Sequence, residues 1–139
     1  MSDFYENEEK KIIHRELFNK TAMQWAEAIK MVSKNQVRRI YDELKRLKRR
    51  VDQTNTKEDF DKIFPYILLE KSKIAYTIAR AKKNINRKEA QKITSYDKLK
   101  AIFDKYLNPE NIKDKDDYTV FCDFMEAIVG FHYEKAPER

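Results

Sequence analysis

The sequence has little of three residue types that many enzyme families need: one glycine, one cysteine and three prolines in 139 residues. One glycine excludes both glycine-rich phosphate-binding motifs, because each of them needs more than one. One cysteine, Cys122, excludes an intramolecular disulfide and a zinc site built on cysteines. The apolar runs are too short for a membrane-spanning helix, and the first residues lack the pattern of a secretory signal. We therefore expect a cytoplasmic protein without a membrane partner.

Charged residues, by contrast, are abundant, and positive charge is in excess. Lys and Arg number 30 against 24 Asp and Glu, which gives a net charge of +6 at pH 7 and a pI of about 9.2. This balance suits an anionic partner, and nucleic acid is the first candidate. Because 41% of the residues are hydrophobic and turn-forming residues are scarce, long helices around a core are the expected structure.

Apolar residues recur at helical spacing through most of the chain, and no strand-like alternation persists. The pattern predicts an all-α, single-domain bundle of roughly five to six helices. We expect residues 1–20 to form a frayed N-terminal arm or a marginal helix. Residues 21–135 are expected to form the helical bundle, and residues 136–139 a C-terminal tail.

Local signals predict where individual helices begin and end. Ser33 and Gln36 have the S-x-x-Q form of a capping box, which predicts a helix start. Pro65 has no backbone N–H and disfavours the α conformation at the residue before it, so a helix is expected to break or restart there. Thr94 or Ser95 is expected to cap the helix that follows a polar connection.

Positive charge is concentrated on two of the predicted helices. Residues 33–50 hold eight bases and two acids, a net charge of +6, and residues 70–92 hold the same numbers of each. With about 100° per residue, four bases of the first stretch share one flank of the helix, beside its apolar stripe. These bases are Arg38, Lys45, Arg46 and Arg49. One interpretation is a surface for an anionic polymer.

The other interpretation is a solvated helix face held by ion pairs within the helix. Asp42 can meet Arg38 and Arg46 at i,i+4 spacing. Glu43 can meet Arg39 in the same way. Such pairs contribute only tenths of a kcal/mol each, so the concentration of charge favours the first interpretation.

The second basic stretch also carries an aromatic residue on its basic side. Lys73, Tyr76 and Arg80 follow one another at i, i+3 and i+7, and Lys83 continues the row. A tyrosine among cations can stack on a base or bond a phosphate oxygen. Packing against a neighbouring helix is the alternative.

Catalytic and metal-binding patterns find little support. His14 lies in the predicted arm, and His132 falls at helical spacing from core-type residues, which favours a buried or C-terminal helix histidine over a general base. Cys122 has no adjacent base. The DKDD segment at 114–117 starts like a calcium loop, but Thr119 stands where that loop requires glycine. These aspartates fit the start of a helix instead, and we expect no catalytic residue, metal or cofactor.

Three stretches, in this order and spacing, resemble the small helical subunit of type III-A (Csm) CRISPR–Cas effector complexes. They are SKNQVRRIYDELKRL at 33–47, FPYILLEKSKIAYTIARAKK at 64–83 and FCDFMEAIVGFHYEK at 121–135. The shared features are a polar cap before a Gln-hydrophobic-Arg start, a lysine-rich helix with an Ala-Tyr pair, and a closing helix with Glu-Ala-Ile-Val before a histidine. Gly130 and Phe131 depart from the small residue and the tyrosine expected before that histidine.

This resemblance implies an all-helical, non-catalytic subunit that assembles in several copies. It would contact guide RNA and target RNA through basic residues and abut the larger subunits of the effector complex. Recognition would follow the shape and backbone of the RNA, because the planar guanidinium of arginine suits phosphate oxygens. The residues expected to face RNA are Arg38, Arg39, Lys45, Arg46, Arg49, Lys73, Arg80 and Lys83.

Two other functions stay open at this point. A structural adaptor would use the same basic helices to bind acidic patches on partner proteins rather than RNA. A DNA-binding helix-turn-helix repressor would need a tight turn before its recognition helix. The break at residues 52–56 and Pro65 argue against the repressor.

Overall fold

A computed structural model of the chain describes residues 2–137, and five α-helices make up most of that range. The helices are α1 (Ala22–Ala28), α2 (Lys34–Asp52), α3 (Lys57–Lys83), α4 (Ala90–Tyr106) and α5 (Lys115–Lys135). They are preceded by two short antiparallel strands, β1 (Tyr5–Asn7) and β2 (Ile12–Ile13), and by a π-helical turn at Leu17–Thr21. The predicted all-α bundle is confirmed. None of the helices within the described range has the length and apolar character needed to cross a membrane.

Helix α5 lies at the centre of the bundle. α1 and α2 both pack on it, while α3 packs on α2 and α4. Aromatic rings join α4 to α5: the ring centres of Tyr106 and Phe124 are 4.7 Å apart, and those of Phe103 and Phe121 are 5.9 Å apart. Both pairs meet edge to face, a geometry that contributes about 0.5–1.5 kcal/mol beyond the burial of area. The sequence of α5 therefore supplies much of the core.

Polar caps begin three of the helices. Ser33 Oγ accepts a hydrogen bond from the backbone N of Gln36 at 3.2 Å, which confirms the predicted start of α2. The return bond of the capping box, from the backbone N of Ser33 to Gln36 Oε1, is not formed. Gln36 Nε2 is buried without a hydrogen-bond partner among residues 2–137. Asp114 and Asp117 form a complete capping box at α5, as expected for the aspartates there. The side chain of Thr56 caps α3.

The predicted break at Pro65 is wrong, because α3 is continuous from its first residue to its last. A proline inside a helix removes one hydrogen bond and costs about 3 kcal/mol. Phe60 and Ile67, on either side of the proline, are both buried in the same core. A continuous helix places both side chains there, and each contributes about 1.5–3 kcal/mol by burial. Tertiary packing thus outweighs the local preference.

The start of α4 also differs from the prediction. The helix begins at Ala90, so Thr94 and Ser95 lie inside it rather than at its cap. Ser95 is buried, and its Oγ accepts a hydrogen bond from the backbone N of Met31 at 3.2 Å. The Ser95 hydroxyl therefore accepts from a backbone N–H group just after α1, and this hydrogen bond joins α4 to a segment distant in sequence.

Residues 2–20 are not the frayed arm or marginal helix that the sequence predicts. β1 and β2 pair as a short hairpin, and Phe4 just before them is fully buried. The ring of Phe4 stacks on Tyr106 with 6.0 Å between the ring centres, and it lies 6.5 Å from Phe121. Burial of one such side chain contributes about 1.5–3 kcal/mol. This segment is consequently part of the packed structure.

The structure describes only part of the predicted C-terminal tail. Ala136 and Pro137 follow the last residue of α5, and the rest of residues 136–139 lies outside the described residues, as does Met1. The predicted boundary between the helical bundle and the C-terminal tail stays a prediction.

His132 joins the last turns of α5 to the segment between α1 and α2, and it is buried as predicted. Its Nε2 lies 2.9 Å from the carbonyl oxygen of Val32. Burial lowers the pKa of His132, while the hydrogen bonds to the carbonyls of Val32 and Ile29 oppose this effect and nearby Lys34 adds to it. The ring is therefore held in its neutral form.

We expect the free energy of unfolding to fall as the pH is lowered below about 6.5. Below that pH an unfolded histidine binds a proton that the folded His132 resists, so acid favours the unfolded chain. The free energy of unfolding falls by no more than about 1.4 kcal/mol per pH unit. It stops falling below the lowered pKa of His132 in the folded state, because both states then bind the proton. Urea unfolding at several pH values should show that His132→Gln flattens this dependence. The same substitution at exposed His14 is the control, and an unchanged slope in His132→Gln would contradict the prediction.

Gly130 lies inside α5 although nothing around it requires a glycine. A Cβ built there has no heavy atom within 4 Å beyond its own helix. We expect Gly130→Ala to raise the free energy of unfolding by about 0.5–1 kcal/mol, because glycine loses more backbone freedom on folding. Ala79→Gly, at an exposed position inside α3, should lower it by a similar amount. Chemical denaturation measures both, and a loss of stability in Gly130→Ala would refute this account.

Candidate nucleic-acid interface

The five predicted RNA-facing residues of α2 are all exposed. One stripe of α2 is buried, and it consists of Val37, Ile40, Leu44, Leu47 and Val51. At about 100° per residue, the predicted bases lie on the part of the helix circumference that is outside this buried stripe. They are Arg38, Arg39, Lys45, Arg46 and Arg49, and each is exposed. The amphipathic pattern of the helix is enough to place them at the surface.

Lys45 lies on the side of α2 that faces α5. On the same side, the hydroxyl of Tyr41 donates to Glu126 Oε1 at 2.9 Å, and Lys45 Nζ lies 5.9 Å from the centre of the Tyr41 ring. Burial and the neighbouring Glu126 raise the pKa of Asp123, whereas Lys48 and Lys45 lower it. The charge of Lys45 is therefore partly offset by acidic residues of α5.

The opposite side of α2 faces α3, and the two basic stretches meet there. Burial raises the pKa of Glu70, and Glu43 raises it further, while Lys73 and Arg46 lower it. This carboxyl group of α3 is thus within electrostatic reach of one base from each helix. Arg46 Nη1 also pairs with Glu43 Oε1 at 2.7 Å. Arg46 and Lys73 therefore both lie near Glu70, on the side where α2 and α3 pack together.

The bases of α3 fall into two groups. The three predicted to face RNA are exposed: Lys73, Arg80 and Lys83. Tyr76 lies among them and is 66% exposed, so it does not pack against a neighbouring helix. Lys71 instead reaches Asp104 of α4 at 3.9 Å, and Lys82 pairs with Asp97 of the same helix. The predicted set is the group that points away from α4.

Together the eight predicted residues of α2 and α3 are called the basic face below. Seven of them have no carboxylate oxygen within 4.0 Å among residues 2–137, and the exception is Arg46. The i,i+4 pairs expected of a merely solvated helix do not form in that range: Asp42 meets neither Arg38 nor Arg46. Glu43 pairs with Arg46 rather than Arg39. The positive charge of this surface is largely unneutralised.

The basic face extends over two helices that pack on each other. Arg46 of α2 and Lys73 of α3 both lie near Glu70. Lys45 lies toward the acidic residues of α5. Arg80 and Lys83 lie in the last turn of α3. A surface of this extent suits an extended polyanion better than a compact anion.

Two contacts between a cation and an aromatic ring were not predicted. The Arg50 guanidinium lies 4.9 Å from the centre of the Tyr66 ring, and Lys34 Nζ lies 4.2 Å from the centre of the Tyr133 ring. Both tyrosines are at least half exposed. Lys34 and Tyr133 also line a groove of about 800 Å³ between the start of α2 and the end of α5. The periodicity of a single helix carries no signal for contacts between two helices.

Two of the three titratable residues considered for catalysis, Cys122 and His132, lie in the interior, whereas His14 is exposed. Burial raises the pKa of the Cys122 thiol to about 12, so the thiol is protonated at neutral pH and is a weak nucleophile. His132 is engaged with backbone carbonyl groups. In the range that the structure covers, residues 2–137, no cluster of three or more His, Cys, Asp or Glu side chains is placed to hold a metal ion. These side chains contribute to packing.

Comparison with protein families identifies a similarity over most of the chain. A family model described as Csm2 Type III-A matches residues 13–138. The matched range includes all five α-helices and every residue of the basic face. No curated protein and no solved structure matches the chain.

Proposed function

The chain belongs to the Csm2 Type III-A family, a subunit family of the type III-A CRISPR effector complex, and we propose that it contacts RNA through its basic face. The family assignment confirms the resemblance noted in the sequence. The family is one of structural subunits, and we propose that this chain has no catalytic role. It would act in the cytoplasm, where guide RNA and target RNA meet.

One observation carries the proposal: seven exposed bases on two adjoining helices have no carboxylate partner within the described range. Charges that are not neutralised by the protein itself attract phosphate groups and release the counterions bound to them. Four of the eight residues of the basic face are arginines of α2, whose fork of donors fits phosphate oxygens. Recognition would therefore follow the RNA backbone rather than its sequence.

Contacts with the larger subunits, and among several copies of the chain, complete the proposal. Tyr66 and Leu69 on α3 are 50% and 48% exposed, and apolar residues at the surface suit a contact between proteins. Several copies aligned on one RNA would bind it more tightly than one copy, because each bound copy raises the local concentration of the next.

Salt dependence of RNA binding tests this function. We expect the affinity of the full-length chain and of the assembled complex for RNA to fall linearly on a log–log plot against salt, with a slope of about −4 to −6 for half a dozen phosphate contacts. Crosslinks from RNA to α2 and α3 are expected in the same samples.

A structural adaptor that binds acidic partner proteins is the competing function. It predicts incorporation into the complex without RNA crosslinks and without this salt dependence of RNA binding. That result would replace RNA contact with protein bridging as the function of the basic face.

A further inference from the structure

The groove between the start of α2 and the end of α5 has the dimensions and lining of a nucleotide site. Its volume is about 800 Å³, within the roughly 300–1,000 Å³ of small-molecule sites. Two bases, an amide, an aromatic ring and an apolar side chain border it. The lining residues that matter here are Lys34, Asn35, Arg38, Val129, Gly130 and Tyr133.

The aromatic ring in the groove is exposed and carries a cation. Tyr133 is 63% exposed, and Lys34 Nζ lies over one face of its ring, 4.2 Å from the ring centre. A base stacks on that face once Lys34 moves from the ring to the phosphate of the same nucleotide. Every nucleobase has a π-face that can stack on a tyrosine, largely without regard to sequence. An exposed tyrosine that adds little to the core is well suited to this role.

The charge of the groove is positive and unbalanced. No acidic side chain of the described residues lines it, and neither Lys34 nor Arg38 has a carboxylate partner within 4.0 Å in residues 2–137. Lys34 is also close enough to buried His132, another lining residue, to help lower its pKa. A phosphate beside the ring would therefore be attracted by two cations.

We propose that this groove binds one unpaired nucleotide of an RNA strand, with the base on Tyr133 and the phosphate held by Lys34 and Arg38. The Asn35 amide can donate to and accept from the edge of the base. This inference rests on the proposed RNA-binding function and adds to it a site selective for single strands. Paired RNA cannot use the site, because its bases are stacked inside the duplex.

Substitution of the ring tests the stacking contact. The probes are a single-stranded oligouridylate of roughly 20 nucleotides and an RNA duplex of the same length. Binding to full-length protein at low salt is followed by fluorescence anisotropy. Tyr133→Leu is expected to weaken single-strand binding about 5- to 30-fold and to change duplex binding less than about twofold. Tyr133→Phe keeps the ring and should restore most of the lost affinity.

Filling the groove is an independent test that leaves the ring in place. Gly130 lines the groove, and a Cβ added there meets no heavy atom within 4 Å, so Gly130→Leu should fold. Its side chain is expected to obstruct the groove and to weaken single-strand binding at least about fivefold. Gly130→Ala adds only one methyl group and should weaken it much less.

The outcomes separate this inference from the proposed function. If Tyr133→Leu and Gly130→Leu bind single strands as well as the wild type, while loss of basic-face charge weakens binding, the groove proposal is wrong and the RNA function stands. If the wild type binds neither probe at low salt, both are wrong. If the two groove variants keep RNA binding but enter the effector complex poorly, the groove contacts a protein and the nucleotide proposal is overturned.

Discussion

Loss of three charges from the basic face, by Arg49→Gln, Lys73→Gln and Arg80→Gln together, is expected to weaken duplex RNA binding roughly a hundredfold. Each of these side chains is exposed and has no carboxylate partner among residues 2–137, so its charge can reach a phosphate. Glutamine keeps a polar side chain and removes only the charge. The slope of the logarithm of affinity against the logarithm of salt concentration should become less steep by about two to three. Each lost phosphate contact reduces the magnitude of this slope by somewhat less than one.

A variant of equal net charge is the matched control for this experiment. Lys20, Lys98 and Lys113 are also exposed but lie outside the basic face. Replacing all three with glutamine removes the same charge, so the long-range attraction to RNA is lowered equally. We expect the control to lose less than about threefold in affinity. Equal losses in the two variants would mean that binding follows net charge, and the localised RNA contact would be refuted.

Asp117→Ala is expected to lower the free energy of unfolding by about 3 kcal/mol or more. The side chain of Asp117 is 3% exposed, and its Oδ1 accepts hydrogen bonds from the Tyr5 hydroxyl at 2.6 Å and from Lys11 Nζ at 2.8 Å. Its Oδ2 accepts from the backbone N of Lys113 at 2.9 Å and of Asp114 at 3.2 Å. Removing this carboxylate leaves several buried or half-buried donors without an acceptor. It also weakens the attachment of the hairpin to the start of α5, where Lys11 keeps only its pairing with Asp114.

The neighbouring aspartate provides the control for that prediction. Asp116 lies in the same first turn of α5 but is exposed. Asp116→Ala should therefore cost no more than about 0.5–1 kcal/mol, from a weaker interaction with the helix dipole. Urea unfolding of both variants gives the comparison. Similar losses would indicate that charge at the helix start matters, rather than the buried hydrogen bonds of Asp117.

Two of the errors in the predicted fold share one physical cause. Pro65 was expected to interrupt α3, and the hairpin before residue 20 was expected to be frayed or helical. In both cases the local preference of the chain is weak compared with the side chains buried nearby: Phe60 and Ile67 hold the helix. Phe4 does the same for the hairpin. Burial of two or three such side chains exceeds the cost of one missing helical hydrogen bond.

The candidate interface was predicted as a set of residues but not as a surface. Helical spacing placed the bases of α2 outside the core, and each of them is exposed. The position of Arg46 and Lys73 near the same carboxylate, Glu70, and the partial neutralisation of Lys45 beside α5 depend on how whole helices pack. The pairing of Glu43 with Arg46 rather than Arg39 likewise follows from rotamers that spacing does not define.

Helical spacing, capping residues and the distribution of charge are local properties of the sequence. They were sufficient to predict helices α2 and α5, the exposure of the bases and the family to which the chain belongs. The open groove beside Tyr133, the hairpin fastened to Asp117 and the packing of two basic helices on each other required the folded chain. Each of these features brings together residues from separate elements, and their separation is set by the packing of a shared core. Repeats of 3.6 residues describe one helix at a time and contain no distance between two helices.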